Sequence, residues 1–312
     1  MGVDAGGTWV RVLAIGDHGR HREARRRARG VSELAPLLRR LYRGWQLRPG
    51  NVGALVVASR GVWTPAERRS RERQLRGLAR RTRAISDVEA AYHGALGEEP
   101  GVLVLAGTGS IALGRDARGR RRRAGGLGPL LGDEGSAFWM GREWLRATSR
   151  LERTEPARRL VAAPDAAARI ASLAPSVLRR AGLGQREARR IVAAAQSALA
   201  ELLATVARDL GLRPPIAVSW AGSLLEDPRF RAGVWRAARR CGLRLAPRAP
   251  GQAAVEAAAR LARLICESAR SSRSGSLLRT ERETPRIPRP RRGRGSGCGA
   301  PDGATTHRWP GR

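Results

Sequence analysis

The sequence predicts an α/β protein of two lobes. Short apolar, β-branched segments alternate with helix-periodic segments through most of its 312 residues, the pattern of sheets flanked by helices. That alternation runs across two successive segments, and the length suits two domains of ordinary size. Two apolar strands also run directly into glycine turns, VDAGGT (Val3–Thr8) and LAGTGS (Leu105–Ser110). The expected boundaries are 1–97 for the first lobe, 98–266 for the second, and 267–312 for a tail rich in Arg, Pro, Ser and Gly.

The elements follow in order. Residues 3–15 alternate apolar and polar and are β-branched, and GDHG turns them, which reads as a strand and a hairpin. Leu34, Leu37, Leu38 and Leu41 recur at helical spacing between Ser32 and Trp45. VGALVVAS (52–59) is a short buried strand, and Thr64 with Pro65 is a helix start, as N-cap and first helical residue. A strand then ends at Ile85, a helix follows from Asp87, and GVLVLAGTGSIALG (101–114) is strand, glycine turn, strand. A further helix opens after GGLGPLLGDEGS. From about Glu152 to Gly211 the chain reads as Ala/Leu/Arg helices, then PIAVSWAGSLLEDPRF as strand and small-residue turn, then a long alanine-rich helix. Beyond Glu267 apolar content falls away, and that tail is expected to be disordered.

Composition limits the function classes. Hydrophobic residues make up 42% and aromatics only 4%, so the core is built from Ala, Leu and Val. No run approaches the ~20 apolar residues of a membrane-spanning helix, and no basic leader precedes the first apolar stretch, so neither a membrane nor a signal peptide is expected. Cys241, Cys266 and Cys298 are widely spaced without a CxxC pair, which fits a reducing, cytoplasmic setting. The formal net charge is +33, yet all 60 basic residues are Arg and Asn51 is the single Asn. Phosphate binding gives no reason to exclude Lys, so the charge reads as a GC-rich coding bias and a nucleic-acid partner is not expected. The basic runs at 21–30 and 118–126 read as solvated loops or hairpin tips.

The glycine turns carry the chemistry. Each supplies consecutive backbone amides beside a hydroxyl, and glycine lets such amides converge on an anion. Neither is a P-loop, because GxxxxGK[ST] is absent and the chain has no Lys. In order, VDAGGT, ISDVEAAYHGAL, LAGTGSIALG, AGGLGPLLGDEGSAFWMG and VSWAGSLLEDPRF form a set. This set resembles the actin/hexokinase/Hsp70-like ATPase superfamily. Within it, the chain resembles the branch joining N-acetylglucosamine and glucosamine kinases to the BadF/BadG/BcrA/BcrD-type ATPases, over roughly residues 1–265.

That resemblance implies two ribonuclease H-like domains with ATP and Mg²⁺ in the cleft between them. It implies Asp4 near the metal, with Gly6, Gly7 and Thr8 around the β/γ-phosphates. Gly107, Thr108, Gly109 and Ser110 would form the second phosphate loop, and Gly222 with Ser223 an adenosine-contacting turn. Gly126, Gly128, Asp133 and Glu134 fall where acceptor sugar hydroxyls bind, Glu134 also reading as a loop-ordering or helix-start residue. Asp87 falls at the catalytic aspartate; it reads equally as a helix N-cap, and the positive helix end is expected to keep it ionised. The implied activity is ATP-dependent phosphorylation of a primary hydroxyl on a small-molecule amino sugar. An ATPase activating a radical enzyme, or a non-catalytic sugar- or nucleotide-binding regulator, is the alternative. Activators of that kind need cluster-binding cysteines, and none of the three lies in the central region. Family members commonly form homodimers; nothing in the sequence fixes the oligomeric state. The chain departs from the family pattern at Leu127 (for Trp), at Pro129, at Ala221-Gly222 (for Gly-Gly), and in having no Asn in RRRARGVSELAP.

Overall fold

The computed structural model describes residues 1–6, 9–16, 19–28, 33–148 and 155–277, with side chains of 155–157 and 270–277 left out. Two five-stranded sheets organise it. The first comprises β1 (Gly2–Ala5), β2 (Trp9–Ile15), β3 (His21–Arg27), β4 (Ala54–Ser59) and β5 (Arg81–Ser86), in the order β3-β2-β1-β4-β5. The second comprises β6 (Gly101–Ala106), β7 (Ser110–Arg115), β8 (Arg121–Gly125), β9 (Ile216–Ala221) and β10 (Leu245–Pro247), in the order β10-β9-β6-β7-β8. Both repeat one topology. The first three strands are antiparallel neighbours, and the last two join parallel beside the opening strand. The expected α/β class with two lobes is what the structure has.

The first sheet is covered on one face by α1 (Leu34–Gly44). Its buried Leu34, Leu38, Leu41 and Tyr42 meet Val3, Val10, Val12, Leu55 and Val57. Burying each such leucine contributes about 1.5–3 kcal/mol. α2 (Pro65–Gln74) begins as the sequence indicated, with Thr64 accepting from the Glu67 amide and Glu67 reaching back to the Thr64 amide. α3 (Asp87–Leu96) leaves β5 directly. The second sheet packs on α9 (Arg186–Leu210), whose Ala188, Ile191, Ala195, Leu199, Leu203 and Val206 form one buried stripe. Among the described residues α9 alone is long and apolar enough to cross a membrane, and that stripe lies in the core. Around it stand α4 (Gly128–Leu131), α5 (Ala137–Thr148), α6 (Glu155–Ala162), α7 (Ala166–Ala171), α8 (Ala174–Gly182), α10 (Ser223–Glu226) and α11 (Pro228–Arg240).

Four details differ from the sequence reading. Residues 3–15 are two strands, broken at the first glycine turn. Residues 21–27, read as part of a solvated loop or hairpin tip, form the edge strand β3. All but one of its seven side chains are exposed, so it lacks the apolar alternation by which strands are recognised. The last helix, α12 (Ala254–Leu277), continues past the expected end of order at 267. It also returns to the first sheet, where Ala258 and Ala262 pack on Ala54, Val56 and Ala58. It lies so close that a Cβ on Gly2 would overlap the Ala259 amide nitrogen. Residues 278–312, the rest of the expected tail, lie outside the described residues. Met1–Ala269 form one compact unit and Arg270–Arg312 a second.

Candidate active site

Parallel strands end together where ligands bind in α/β sheets. In the first sheet Ala5, Ser59 and Ser86 share one rung, so Gly6, Arg60 and Asp87 step off three adjacent strand ends. Asp4 sits one residue before that rim. Its side chain is 14% exposed and its nearest cation is Arg11, across the β1–β2 pair at 3.6 Å. Burial pushes its carboxyl up to about 6; Arg11 opposes the shift, and the negative charge of Asp87 adds to it. Gly6 closes the turn by donating its amide to Trp9 O at 3.1 Å. Gly7 and Thr8 lie outside the described residues.

Asp87 is not the helix cap. Ser86 caps α3, accepting from the Glu89 amide, while Glu89 returns a bond to the Ser86 amide. Asp87 is the first helical residue, and its carboxylate accepts from the Val88 amide at 3.0 Å. The helix end was expected to keep it ionised; instead burial dominates and raises its pKa, against the pull of that amide and of Arg60. Glu89 is 5% exposed. It is held by both Arg68 of α2 (2.8 and 2.9 Å) and Arg121 of β8 (2.8 Å), which ties the start of α3 to the second sheet.

In the second sheet the glycine turn between β6 and β7 is built from both sides. The Gly107 amide donates to Gly109 O, and the Gly107 and Thr108 carbonyls accept from Ala137 and Phe138, the first turn of α5. The amides of Thr108 and Gly109 have no acceptor among the described residues. Nothing lies within 4 Å of where a Gly107 Cβ would stand, so the turn is an open cradle. Beneath it Asp133, 7% exposed and at φ 63°, accepts the Ser110 amide on Oδ1 at 3.1 Å. A Cβ on Gly109 would come within 2.8 Å of that same oxygen, which explains the glycine there. Burial raises the Asp133 pKa, and the Ser110 amide and Arg60 oppose it.

Ser110 also gathers the acceptor loop, its hydroxyl donating to Glu134 O at 2.7 Å and its carbonyl accepting the Gly126 amide at 2.9 Å. The Glu134 side chain is exposed, and Gly128 opens the short α4. Gly222, at φ 89°, lies against the second turn, where a Cβ would overlap Ala106 O. Ser223 follows it, exposed, at the start of α10. The sheet ends thus collect Asp4, Gly6 and Asp87 on one side, and Gly107–Ser110, Gly126, Asp133, Glu134 and Gly222-Ser223 on the other. Arg60, which the motifs did not single out, steps off β4 between β1 and β5, and its charge favours the ionised forms of both Asp87 and Asp133.

The geometry fits a bound nucleotide and cation. Free amides over an open glycine turn suit phosphate oxygens. Mg²⁺ is held by one or two carboxylates plus substrate phosphates, and buried Asp4, with its single distant cation partner, suits that donor set. Among the described residues no three His, Cys, Asp or Glu side chains form a self-sufficient metal cage.

A sequence model of the BadF/BadG/BcrA/BcrD ATPase family matches residues 66–237. The chain belongs to that family. Within the BadF/BadG/BcrA/BcrD ATPases, its relatives include kinases of amino sugars. It is 41% identical over 63 residues to an N-acetylmuramic acid/N-acetylglucosamine kinase of Clostridium acetobutylicum, covering 20% of this chain and 21% of that one. It is 31% identical over 147 residues to an N-acetyl-D-glucosamine kinase of Dictyostelium discoideum, covering 40% and 46%. The chain thus matches less than half the length of either kinase. A solved Chromobacterium violaceum structure, assigned as an N-acetylglucosamine kinase, superposes with a TM-score of 0.63 at 24% identity, over 85% of this chain and 97% of its own. A Streptomyces griseus ROK family glucokinase, solved with glucose and AMPPNP, gives 0.55 at 16% identity, over 84% and 98%. These two structures establish the shared fold of this BadF/BadG/BcrA/BcrD ATPase: two ribonuclease H-like domains of the actin/hexokinase type.

Proposed function

We infer that the protein is an ATP-dependent kinase that phosphorylates a primary hydroxyl of an amino sugar: N-acetylglucosamine, glucosamine or a related hexose. The observation that carries this reading is the pair of amides at Thr108 and Gly109 with no acceptor among the described residues, together with a carboxylate, Asp87, that is not used as a helix cap. The names of the Clostridium and Dictyostelium relatives support the substrate class.

In this reading the lobes are residues 1–97, with α12 packed back onto them, and the remainder of 98–266, with ATP between. The amides of Thr108 and Gly109, and those of the first turn around Gly6, Gly7 and Thr8, hold the phosphates. Gly222 and Ser223 border the adenosine, the glycine allowing the turn to lie flat against Ala106. Asp4 holds Mg²⁺, which when bound neutralises phosphate charge on the donor side. Asp133 keeps Oδ2 for an acceptor hydroxyl while Oδ1 orders the second turn. Gly126 and Gly128 let the backbone approach the sugar, and Glu134, exposed beside Asp133, lines the same loop.

Asp87 takes the proton of the attacking hydroxyl. Burial has raised its pKa from the ordinary carboxylate value toward the operating pH, which favours a general base. Among the described residues the activator reading finds no cysteine pair: Cys241 and Cys266 are free thiols, at the end of α11 and within α12. Incubation with ATP, Mg²⁺ and a hexose panel, with the product located by phosphorus and proton NMR, tests the proposal. A primary phosphate ester on an amino sugar is expected; ATP consumption that no sugar stimulates would refute it.

A further inference from the structure

The transferring phosphoryl group would enter a notably acidic space. Asp4, Asp87 and Asp133 all border it, and burial pushes the pKa of each upward. A metal at Asp4 offsets charge on the donor side. Among the described residues, the cation that acts on both Asp87 and Asp133 is Arg60. It leaves the end of β4, the strand between β1 and β5; on the last rung its neighbour Ser59 lies one strand spacing, about 4.8 Å, from Ala5 and from Ser86, and Gly6, Arg60 and Asp87 are the residues that follow. Its turn is fixed, because Ser59 Oγ donates to the Arg60 carbonyl at 3.2 Å and Gly61 follows with φ 69°. Its side chain is exposed and makes no hydrogen bond or ion pair with any described residue. Its charge favours the ionised forms of Asp87 and of Asp133, which lies beneath the second glycine turn.

A cation between the first phosphate turn, the second phosphate turn and the general base stands where the phosphoryl group passes from donor to acceptor. Resting on the kinase reading above, we propose that Arg60 is a catalytic residue that binds the transferring phosphoryl group itself. The sugar hydroxyl oxygen bonds to the γ-phosphorus as the bond from that phosphorus to the bridging oxygen of ADP breaks. The hydroxyl proton passes to Asp87, and ADP leaves with the bridging oxygen's electron pair. Arg60 is chemically unchanged. Its planar fork donates two hydrogen bonds to the equatorial oxygens, offsetting their charge. Such charge stabilisation acts on the transition state more than on bound substrates.

The test compares wild type, Arg60→Gln and Arg60→Lys, each checked for an unchanged melting temperature. Arginines of this role contribute about 10³–10⁵-fold in other phosphoryl-transfer enzymes. Arg60→Gln is expected to lower kcat at least ~100-fold, with KM for ATP and sugar within about threefold and with partial recovery in Arg60→Lys. A second arm measures binding of ADP with aluminium fluoride, a mimic of the planar phosphoryl group, in the presence of Mg²⁺ and N-acetylglucosamine. Arg60→Gln is expected to weaken that complex by a similar factor and ADP alone by less than about threefold. Unchanged kcat, a change confined to the sugar KM, or unchanged aluminium fluoride binding would overturn the proposal. A wild type that transfers phosphate to no sugar refutes the kinase reading, and the aluminium fluoride arm, run without sugar, still decides Arg60.

Discussion

Asp4→Asn is expected to make the protein more stable while removing its activity. In the folded chain the Asp4 carboxyl sits at 14% exposure with Arg11 3.6 Å away. Burial therefore moves its pKa from 3.8 up to about 6. The folded state then binds the proton more tightly than the unfolded state does, so this group's contribution to stability declines as pH rises from about 4 to about 6. Above that window both states are ionised, and the shift from 3.8 to about 6 corresponds to a penalty of about 3 kcal/mol. Asparagine keeps the shape and never ionises. Urea unfolding of both proteins without nucleotide or metal, at pH 8 and pH 4, measures the effect. The variant is expected to exceed wild type by about 2–3 kcal/mol at pH 8, with the difference collapsing toward zero at pH 4. Equal stabilities at pH 8, or a less stable variant, would refute the claim that Asp4 is a charge held at a cost for a ligand. The same variant should lose Mg²⁺-dependent phosphorylation, since Asp4 is the carboxylate proposed to hold the cation.

Two further predictions concern the elements around the site. Gly109→Ala drives a methyl against Asp133 Oδ1 and separates it from the Ser110 amide; calorimetric titration should show ADP affinity reduced by about 1–3 kcal/mol, as for a buried donor left without its partner. His93, 6% exposed, lies between Glu98 on Nδ1 (3.1 Å) and Arg121 on Nε2 (3.2 Å), with Glu89, Arg115 and the Arg260 side chain nearby. A ring nitrogen that accepts from Arg121 has no room for a proton, and burial holds the His93 pKa below 6.5. Stability is therefore fully present above that value and declines as pH falls through it. His93→Gln should flatten the pH 5–7 part of the urea-unfolding profile relative to wild type; parallel profiles would refute the neutral imidazole.

Local signals were legible in the sequence wherever one element decided them. The buried run of β4, the Thr64–Pro65 start of α2 and the glycine turn after β6 are all present as read. The two-lobed α/β plan followed because the alternation of elements is itself written twice. Features set by distant parts of the chain were not legible. β3 is a strand because Trp9–Ile15 pairs with it, and its own arginines carry no apolar period. α12 belongs on the first sheet because Gly2 leaves space for its backbone, more than two hundred residues away in sequence. At the site, the sequence left Asp87 between the catalytic position that the family resemblance implies and a helix N-cap, and the cap is Ser86. The Ser86–Glu89 spacing of a capping box was there to be read, and it releases the carboxylate. Arg60 could not be distinguished among 60 arginines until the strand register set it between Gly6 and Asp87.

The central claim is that this site transfers phosphate to a sugar hydroxyl with Asp87 as the base. The most direct measurement is sugar-stimulated ADP release by wild type and Asp87→Asn side by side, with ATP affinity determined for both. The account predicts turnover stimulated by an amino sugar, a fall in kcat of about 10²–10⁴-fold in the variant, and ATP affinity unchanged within about threefold. Full turnover by Asp87→Asn, or a wild type indifferent to every hexose offered, would contradict it.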